Sequence, residues 1–369
     1  MRVLITGGAG FIGSHLADLL LAEGYDVRAL DNLDPQVHGT SGRPAYLDPR
    51  VELQRGDVRD RDAVRTALDG VDAVYHFAAN VGVGQSQYEI ERYTSTNVGG
   101  TAALLDVLAN DRGNVRKLVV ASSMSIYGEG LYLDSEGDTV APPVRDAEHL
   151  AAGDFEVRGA NGEALRPVPT PESKASNCES IYALNKRDQE EYCLLFGRVY
   201  GLPVVALRFF NTYGTRQSLN NPYTGAAAIF ISRIRRELAP LIYEDGRQQR
   251  DFIHVTDVAR ACLLALTSND ADGRVFNVGS GRAVSIGELV QILSTIAGFT
   301  TEPEITHRYR KGDIRHCFAD ITALRSIGFE PRVSLEDGLR ELFEWSVAQE
   351  IAQAQGATDE ELEKRKLLV

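Results

Sequence analysis

Hydrophobic positions in the first half of the chain fall into two alternating patterns. The short runs "RVLITG", "DVRALD", "VELQRGD", "AVYHFAA", "KLVVASS" and "PVVALRFF" are rich in Val, Leu and Ile and lack strict polar alternation. Strands buried on both faces of a parallel sheet read this way. Amphipathic stretches of helical period lie between them. In "GSHLADLLLAEG", Leu16, Leu19 and Leu20 share a face and Gly24 supplies a stop. Strand and helix in alternation predict an α/β fold with a doubly wound parallel sheet.

Beyond about residue 210 the pattern shortens to mixed elements, "PLIYEDG", "RDFIHV", "RVFNVGS" and a helix starting near Ser285. These predict a smaller, discontinuous mixed α/β domain over 211–350 that closes over the carboxyl ends of the sheet and binds substrate. The first domain, 1–210, then carries an inserted loop at about 129–180 and a returning segment at about 251–270. Residues 351–369 form a charged tail whose end, "GATDEELEKRKLLV", reads as a terminal helix or as disordered.

With 369 residues, 43% hydrophobic and 25% charged, the chain has a globular composition. No apolar run approaches the roughly 20 residues of a membrane-spanning helix, so no membrane association is expected. The start "MRVLITGGAGFIG" lacks a signal-peptide order, and a cytoplasmic location is the expectation. A net charge of −13 argues against a nucleic-acid partner and requires any phosphate site to be built from particular arginines and backbone amides. Cys178, Cys193, Cys262 and Cys317 are widely spaced, indicating neither a metal site nor a disulfide framework.

"TGGAGFIGSHL" sets Gly7, Gly10 and Gly13 between the first strand and first helix. Glycines there permit a tight turn, close approach of backbone to a pyrophosphate and close helix packing, with the helix N-terminus facing the phosphates. Asp31 ends the second strand about 20 residues on, placed for both ribose hydroxyls and selecting NAD over NADP. Together these are a Rossmann-type dinucleotide signature. Asp57 and Val58 in "GDVRD" offer an adenine pocket, although that motif alone would more simply be a helix cap. In "YALNK", Tyr182 and Lys186 lie four apart on a helix, about 5–6 Å between β-carbons. By itself this is an ordinary exposed pair.

From "TGGAGFIG" through "HFAA", "NVGGT", "ASSMSIYG", "YALNK" and "RFFNTYG" to "EDGRQQRDFIHVTDV" and "RKGDIRHCFAD", the chain resembles the extended short-chain dehydrogenase/reductases of the nucleotide-sugar epimerase and dehydratase branch. The resemblance implies Ser123, Tyr182 and Lys186 as the catalytic set. It implies NAD contacts at Gly7, Gly10, Phe11, Ile12, Gly13, Asp31, Asn32, Asp57, Val58, Phe77, Ala78, Ala79, Asn97 and Lys186. It places substrate at Val83, Ser123, Ser125, Asn211, Arg250, Arg310 and Cys317, with Arg250 and Arg310 on the diphosphate. Guanidinium groups suit that role because they hold two phosphate oxygens at once. Arg247 and Arg315 read as surface ion pairs. Cys317 matches a position that gates hexose size, or is packed core.

A phenol of pKa about 10 is a poor base at neutral pH; lowering it by ~3 units takes about 4 kcal/mol of differential stabilisation. Lys186 and the nicotinamide cation are expected to supply it, and Ser123 to hold the same sugar oxygen. Related 4,6-dehydratases carry an Asp-Glu pair where this chain has Met124 and Ser125, so the resemblance points to a 4-epimerase rather than a dehydratase. The interval from Ser123 to Tyr182 is about twice that of short relatives. This insertion, with "YGEGLY", "PVPTPE" and "VGVGQSQYEI", is most similar to dTDP-L-rhamnose 4-epimerases, and long ordered loops are usually lids or binding loops. UDP-hexose, UDP-uronate and other nucleotide sugars remain alternatives, with a nucleotide-sugar dehydratase or net oxidoreductase behind them and a non-catalytic NAD sensor last. The family also forms a homodimer through the helices near Asn97 and Tyr182. Leu104, Leu105 and Leu108 on one, and Tyr192, Leu195, Phe196 and Val199 on the other, are candidate stripes. His15, His76, His254 and Asp257 read as structural.

Overall fold

The computed structural model describes residues 1–39, 42–221, 223, 225–351 and 356–369; of the tail, 352–355 therefore lie outside the described residues. Seven strands make one parallel sheet: β1 (Arg2–Thr6), β2 (Asp26–Asp31), β3 (Glu52–Arg55), β4 (Ala73–His76), β5 (Lys117–Ser123), β6 (Val204–Phe209) and β7 (Val275–Val278). Their spatial order is β7-β6-β5-β4-β1-β2-β3. The chain runs outward from β1 to β3, then crosses back to β4. Between β1 and β4 the order reverses, and a crevice opens at the carboxyl ends where such sheets take ligands. In register, Thr6 lies beside His76, and Ser123 beside Phe209.

All six runs expected as sheet strands are in this sheet. The seventh is a correction, because "RVFNVGS", read as part of the smaller domain, pairs with β6 through Val275 and Ala206. Its parallel partner is distant in the chain and no local pattern identifies it. Both faces of the sheet are covered. On one side α1 (Phe11–Ala22) and, later in the chain, a helix over Val255–Thr267 pack together. On the other, α2 (Gly100–Asn110) and α3 (Ile181–Tyr200) cover Leu118, Val120 and Val204.

Two local features aim the site. A π-helical turn at Ser95–Gly99 joins Ile90–Thr94 to α2 and turns Asn97 inward; such insertions are frequent at functional sites. Ser180 caps α3 by accepting a hydrogen bond from the Ala183 amide, which fixes where Tyr182 and Lys186 begin. The expected dimer stripes divide: Leu104, Leu105, Leu108 and Phe196 are buried in the subunit's own core, whereas Tyr192, Leu195 and Val199 face solvent.

A separate core forms where helices Ala226–Arg235, Ile286–Ala297 and Leu335–Val347 meet Tyr213 and Phe252. The insertion folds as a three-stranded antiparallel sheet of Leu131–Leu133, Thr139–Val140 and Arg166–Val168 around Tyr132, Val157 and Leu165. Charge fastens it to the smaller core. Arg145 lies 2.8 Å from Glu244, and Glu156 lies 2.8 Å from Arg315. The tail resolves as helix α4 over Gly356–Lys364, followed by antiparallel pairing of Leu367 and Val369 with Lys311 and Tyr309.

Candidate active site

The glycine loop meets the wall of the crevice at van der Waals distance. Gly7 has φ +70°, and a β-carbon there would lie 3.0 Å from the Ala78 backbone. One on Gly13 would lie 2.5 Å from the Gly7 carbonyl oxygen. No side chain caps α1 at Gly10 and its first turn holds no acid. The free amides at Phe11, Ile12 and Gly13 therefore form a donor set suited to a diphosphate. Asp31 ends β2 buried, accepting from the Ala9 and Leu33 amides at 3.0 and 2.9 Å. A carboxylate offers about four acceptor sites, so both oxygens keep capacity for ribose hydroxyls.

The remaining dinucleotide candidates divide between contact surface and support. Asn32 follows Asp31 in the loop and hydrogen-bonds Asp57, and Arg59, first among the groups acting on it, holds the Asp57 carboxyl below its ordinary range. Val58 is packed under Gly100 in the core, leaving its backbone for a ligand. The Phe77 ring lies against Tyr75 and Phe209 at 5.5 and 5.8 Å, and the Phe77 and Ala78 amides donate to Thr6 Oγ1. Ala79 continues this wall, half-buried. Asn97 is fully buried, with its amide clamped on the Asn80 backbone at 2.8 and 3.1 Å. It braces the crevice wall through Asn80.

Ser123, at the carboxyl end of β5, accepts from the Ser125 amide at 3.2 Å and the Ser125 hydroxyl at 2.9 Å. Both lone pairs are then used, and the Ser123 hydrogen is available to donate. It goes to the Tyr182 oxygen. Burial holds the Tyr182 phenol up at about 12 even with this bond from Ser123 acting to lower it. Lys186, the other group expected to act on the phenol, donates its ammonium to Gln189 Oε1 at 3.0 Å, and burial lowers its pKa to about 8.

Behind Lys186 runs a buried polar chain. The Thr101 hydroxyl donates to the Asn97 carbonyl at 2.6 Å, so it can only accept from His76 Nε2 and Gln189 Nε2, each at 2.9 Å. The His76 proton is thus on Nε2, and Nδ1 accepts from Thr6 at 2.9 Å. Burial holds His76 neutral, at about 3. The Gln189 amide cannot turn over without presenting N–H groups to an ammonium. Its three-residue spacing from Lys186 was the available signal, since both share a face of α3.

Across the cleft, Asn211, Arg233, Tyr243, Gln248, Arg250 and Arg310 line a cavity of about 180 Å³. Asn211 Oδ1, Gln248 Oε1 and Arg310 Nε are buried there without a hydrogen-bond partner among the described residues. Buried polar atoms in that state call for a polar ligand. Arg250 is held by the carbonyls of Gln249 and Arg315, at 2.9 and 3.0 Å, and by that of Ile314. Val83 opens a short helix, Val83–Ser86, whose Ser86 hydroxyl accepts the Tyr182 amide at 3.0 Å. Cys317 is buried with Met124, Tyr127 and Phe210 and points its thiol at Thr170, 3.9 Å away, so the packed-core reading holds. Arg315 is no surface pair. It is fully buried, with Glu244, Asp245 and Glu156 around its guanidinium.

The sequence profile of the NAD dependent epimerase/dehydratase family matches residues 3–152 and 156–279. The chain belongs to that family; it is an enzyme, and NAD is its cofactor. It is 35% identical over 359 residues to the dTDP-L-rhamnose 4-epimerase of Burkholderia thailandensis, covering 95% of this chain and 96% of that one. The UDP-glucose 4-epimerase of Thermotoga maritima, solved with UDP-glucose, superposes with a TM-score of 0.76 at 32% identity, covering 94% and 98% of the two chains. That of Thermus thermophilus, solved with NAD, gives 0.75 at 30% identity, covering 95% and 100%.

Proposed function

We propose that the chain inverts C4 of a nucleotide-diphosphate sugar through a transient 4-keto sugar. The observation that carries this is the all-hydroxyl constellation of Ser123, Ser125 and Tyr182 beside buried Lys186. Met124 and Ser125 stand where a dehydratase needs its acid and base. The glycine loop with Phe11, Ile12 and Gly13, the carboxylates Asp31 and Asp57, Asn32, Val58 and the Phe77–Ala79 wall hold NAD. Bound NAD supplies a reversible hydride acceptor. Tyr182 takes and returns the C4 hydroxyl proton, Ser123 donates to the phenolate oxygen, and Lys186 fixes the charge beneath them. Asn211, Arg250 and Arg310 take the nucleotide diphosphate.

The favoured substrate is dTDP-L-rhamnose, giving dTDP-6-deoxy-L-talose; the named Burkholderia relative and the long insertion support it, and UDP-sugars are the alternative. A cytoplasmic homodimer using the exposed Leu184, Tyr192, Leu195 and Val199 face of α3 is part of the same proposal. Purified protein without added cofactor, incubated with dTDP-L-rhamnose and a UDP-sugar panel in deuterium oxide, tests it by NMR. Inversion at C4 without ring deuterium is expected. Deuterium at C3 or C5, or an accumulating keto sugar, refutes the reaction. Tyr182→Phe should lower turnover by about 10²–10⁴-fold while NAD stays bound.

A further inference from the structure

The C-terminal segment crosses the substrate cleft. Val369 and Tyr309 exchange backbone hydrogen bonds at 2.9 and 3.0 Å, and the Lys311 amide donates to Leu367 at 3.0 Å. Leu362 is buried over Gly84, and Arg365 lies 4.2 Å above the Tyr88 ring. These contacts tie the segment to both walls: Gly84, in the short helix Val83–Ser86, and Tyr88 follow β4, while Tyr309 and Lys311 flank Arg310. So placed, α4 sets Asp359 into the lining of the arginine-rich cavity.

There the Tyr243 hydroxyl donates to Asp359 Oδ1 at 2.7 Å, and the same oxygen is 3.6 Å from Arg310 Nη2. The Arg310 guanidinium lies 4.3 Å over the Tyr243 ring. Asp359, Tyr243 and Arg310 thus close into a triangle of carboxylate, phenol and guanidinium. An entering phosphate and the Asp359 carboxylate are both anions seeking the same guanidinium, and at such separations in a partly buried site they repel. One of the two must leave.

We propose that Asp359 is an internal competing anion, an autoinhibitory contact that holds Arg310 in line with Tyr243 until a ligand carrying a diphosphate displaces it. The proposal rests on the assignment of Arg310 to the diphosphate. Any ligand that takes Arg310 must first displace Asp359, so the strap lowers the affinity for diphosphates and leaves ligands that do not reach Arg310 unaffected. Arg310 and Asp359 are 30% and 28% exposed, so solvent moderates the competition.

The test measures UDP and UMP binding calorimetrically to the full-length NAD-bound protein, its Asp359→Asn variant and its Arg310→Gln variant, with thermal melts as a check of folding. Asp359→Asn keeps an acceptor for Tyr243 and removes the charge. It should bind UDP about three- to tenfold tighter, with UMP, which brings less charge to Arg310, gaining less. Unchanged or weaker UDP binding in Asp359→Asn would overturn the proposal and make Asp359 a group that reads the ligand. The underlying assignment fails separately, if Arg310→Gln binds UDP as the unaltered protein does.

Discussion

The two walls of the cleft are built from different materials. The dinucleotide wall is backbone and glycine: uncapped amides of α1, a Gly7 loop touching Ala78, and neutral hydroxyls and amides relayed from Thr6 through His76 and Thr101 to Gln189. The substrate wall is charge: Arg145 and Arg315 against Glu129, Glu156, Glu244 and Asp245, and Arg310 against Asp359. Each chain segment supplying the second wall is remote from the others. A wall of close backbone contacts tolerates no added atom, whereas a wall of ion pairs tolerates replacement only if both charges go. Substitutions chosen for each wall should fail in those different ways.

The largest effect is expected on the backbone wall. A β-carbon at Gly13 meets the Gly7 carbonyl oxygen at 2.5 Å, backbone against backbone, with no flexible side chain to yield. Gly13→Ala should weaken NAD binding by at least about 100-fold, equivalent to about 3 kcal/mol, read as cofactor content and titrated affinity. An unaltered NAD content would mean that the loop is not the pyrophosphate site. On the charged wall, Arg315→Met leaves Asp245 and Glu156 without their cation and Glu244 with Arg145 alone. Breaking a buried pair costs about 3–5 kcal/mol, whereas removing both partners is often neutral. Urea unfolding should show that loss in Arg315→Met, with part of it recovered when Asp245→Leu is added, since Asp245 grips Arg315 with both oxygens. Equal stability of both variants would deny the cluster its role in fixing the insertion.

This contrast also explains what the sequence conveyed. The sheet was legible because strand runs and glycine spacing are local, and the grouping of Ser123, Tyr182 and Lys186, proposed here as catalytic, was reached through motifs of the same kind. The substrate wall was not, because Arg315 looks like any surface arginine until Glu156, from the insertion, and Glu244 are folded onto it. Asp359 in a charged tail carried no signal at all: only the pairing of Leu367 and Val369 with 309–311 brings it to the cavity. Asn97 and Ser125 fell between, since motifs marked them while their partners, Asn80 and Ser123, were visible only in three dimensions.

A smaller effect separates catalysis from support on the dinucleotide wall. Gln189→Leu removes the acceptor of the Lys186 ammonium and should reduce kcat about tenfold, with the alkaline limb of the pH profile moving down. Gln189→Glu, by pairing a charge with that ammonium, should move the limb up. A limb that stays in place in both variants would leave Gln189 a packing residue.

The smallest expected effect is on acid stability, and it tests whether the relay behind Lys186 is as neutral as its hydrogen bonds require. His76 titrates at about 3 in the fold against 6.5 for an ordinary histidine, because burial disfavours its charged form and Lys186 adds repulsion. Between those values the unfolded chain binds a proton that the folded chain refuses. Stability therefore falls as pH drops below 6.5, by up to about 1.4 kcal/mol per pH unit, and is untouched above it. His76→Asn removes this contribution. Whatever the variant loses at pH 7 through its broken bonds to Thr6 and Thr101, its unfolding free energy should decline less steeply than that of the unaltered protein from pH 6.5 to 4.5. Parallel curves would mean that His76 already carries its proton in the fold, with Thr6 accepting from Nδ1. The Thr101 hydroxyl would still be an acceptor, but the relay beneath Lys186 would be cationic, and the neutral character of the dinucleotide wall would be lost.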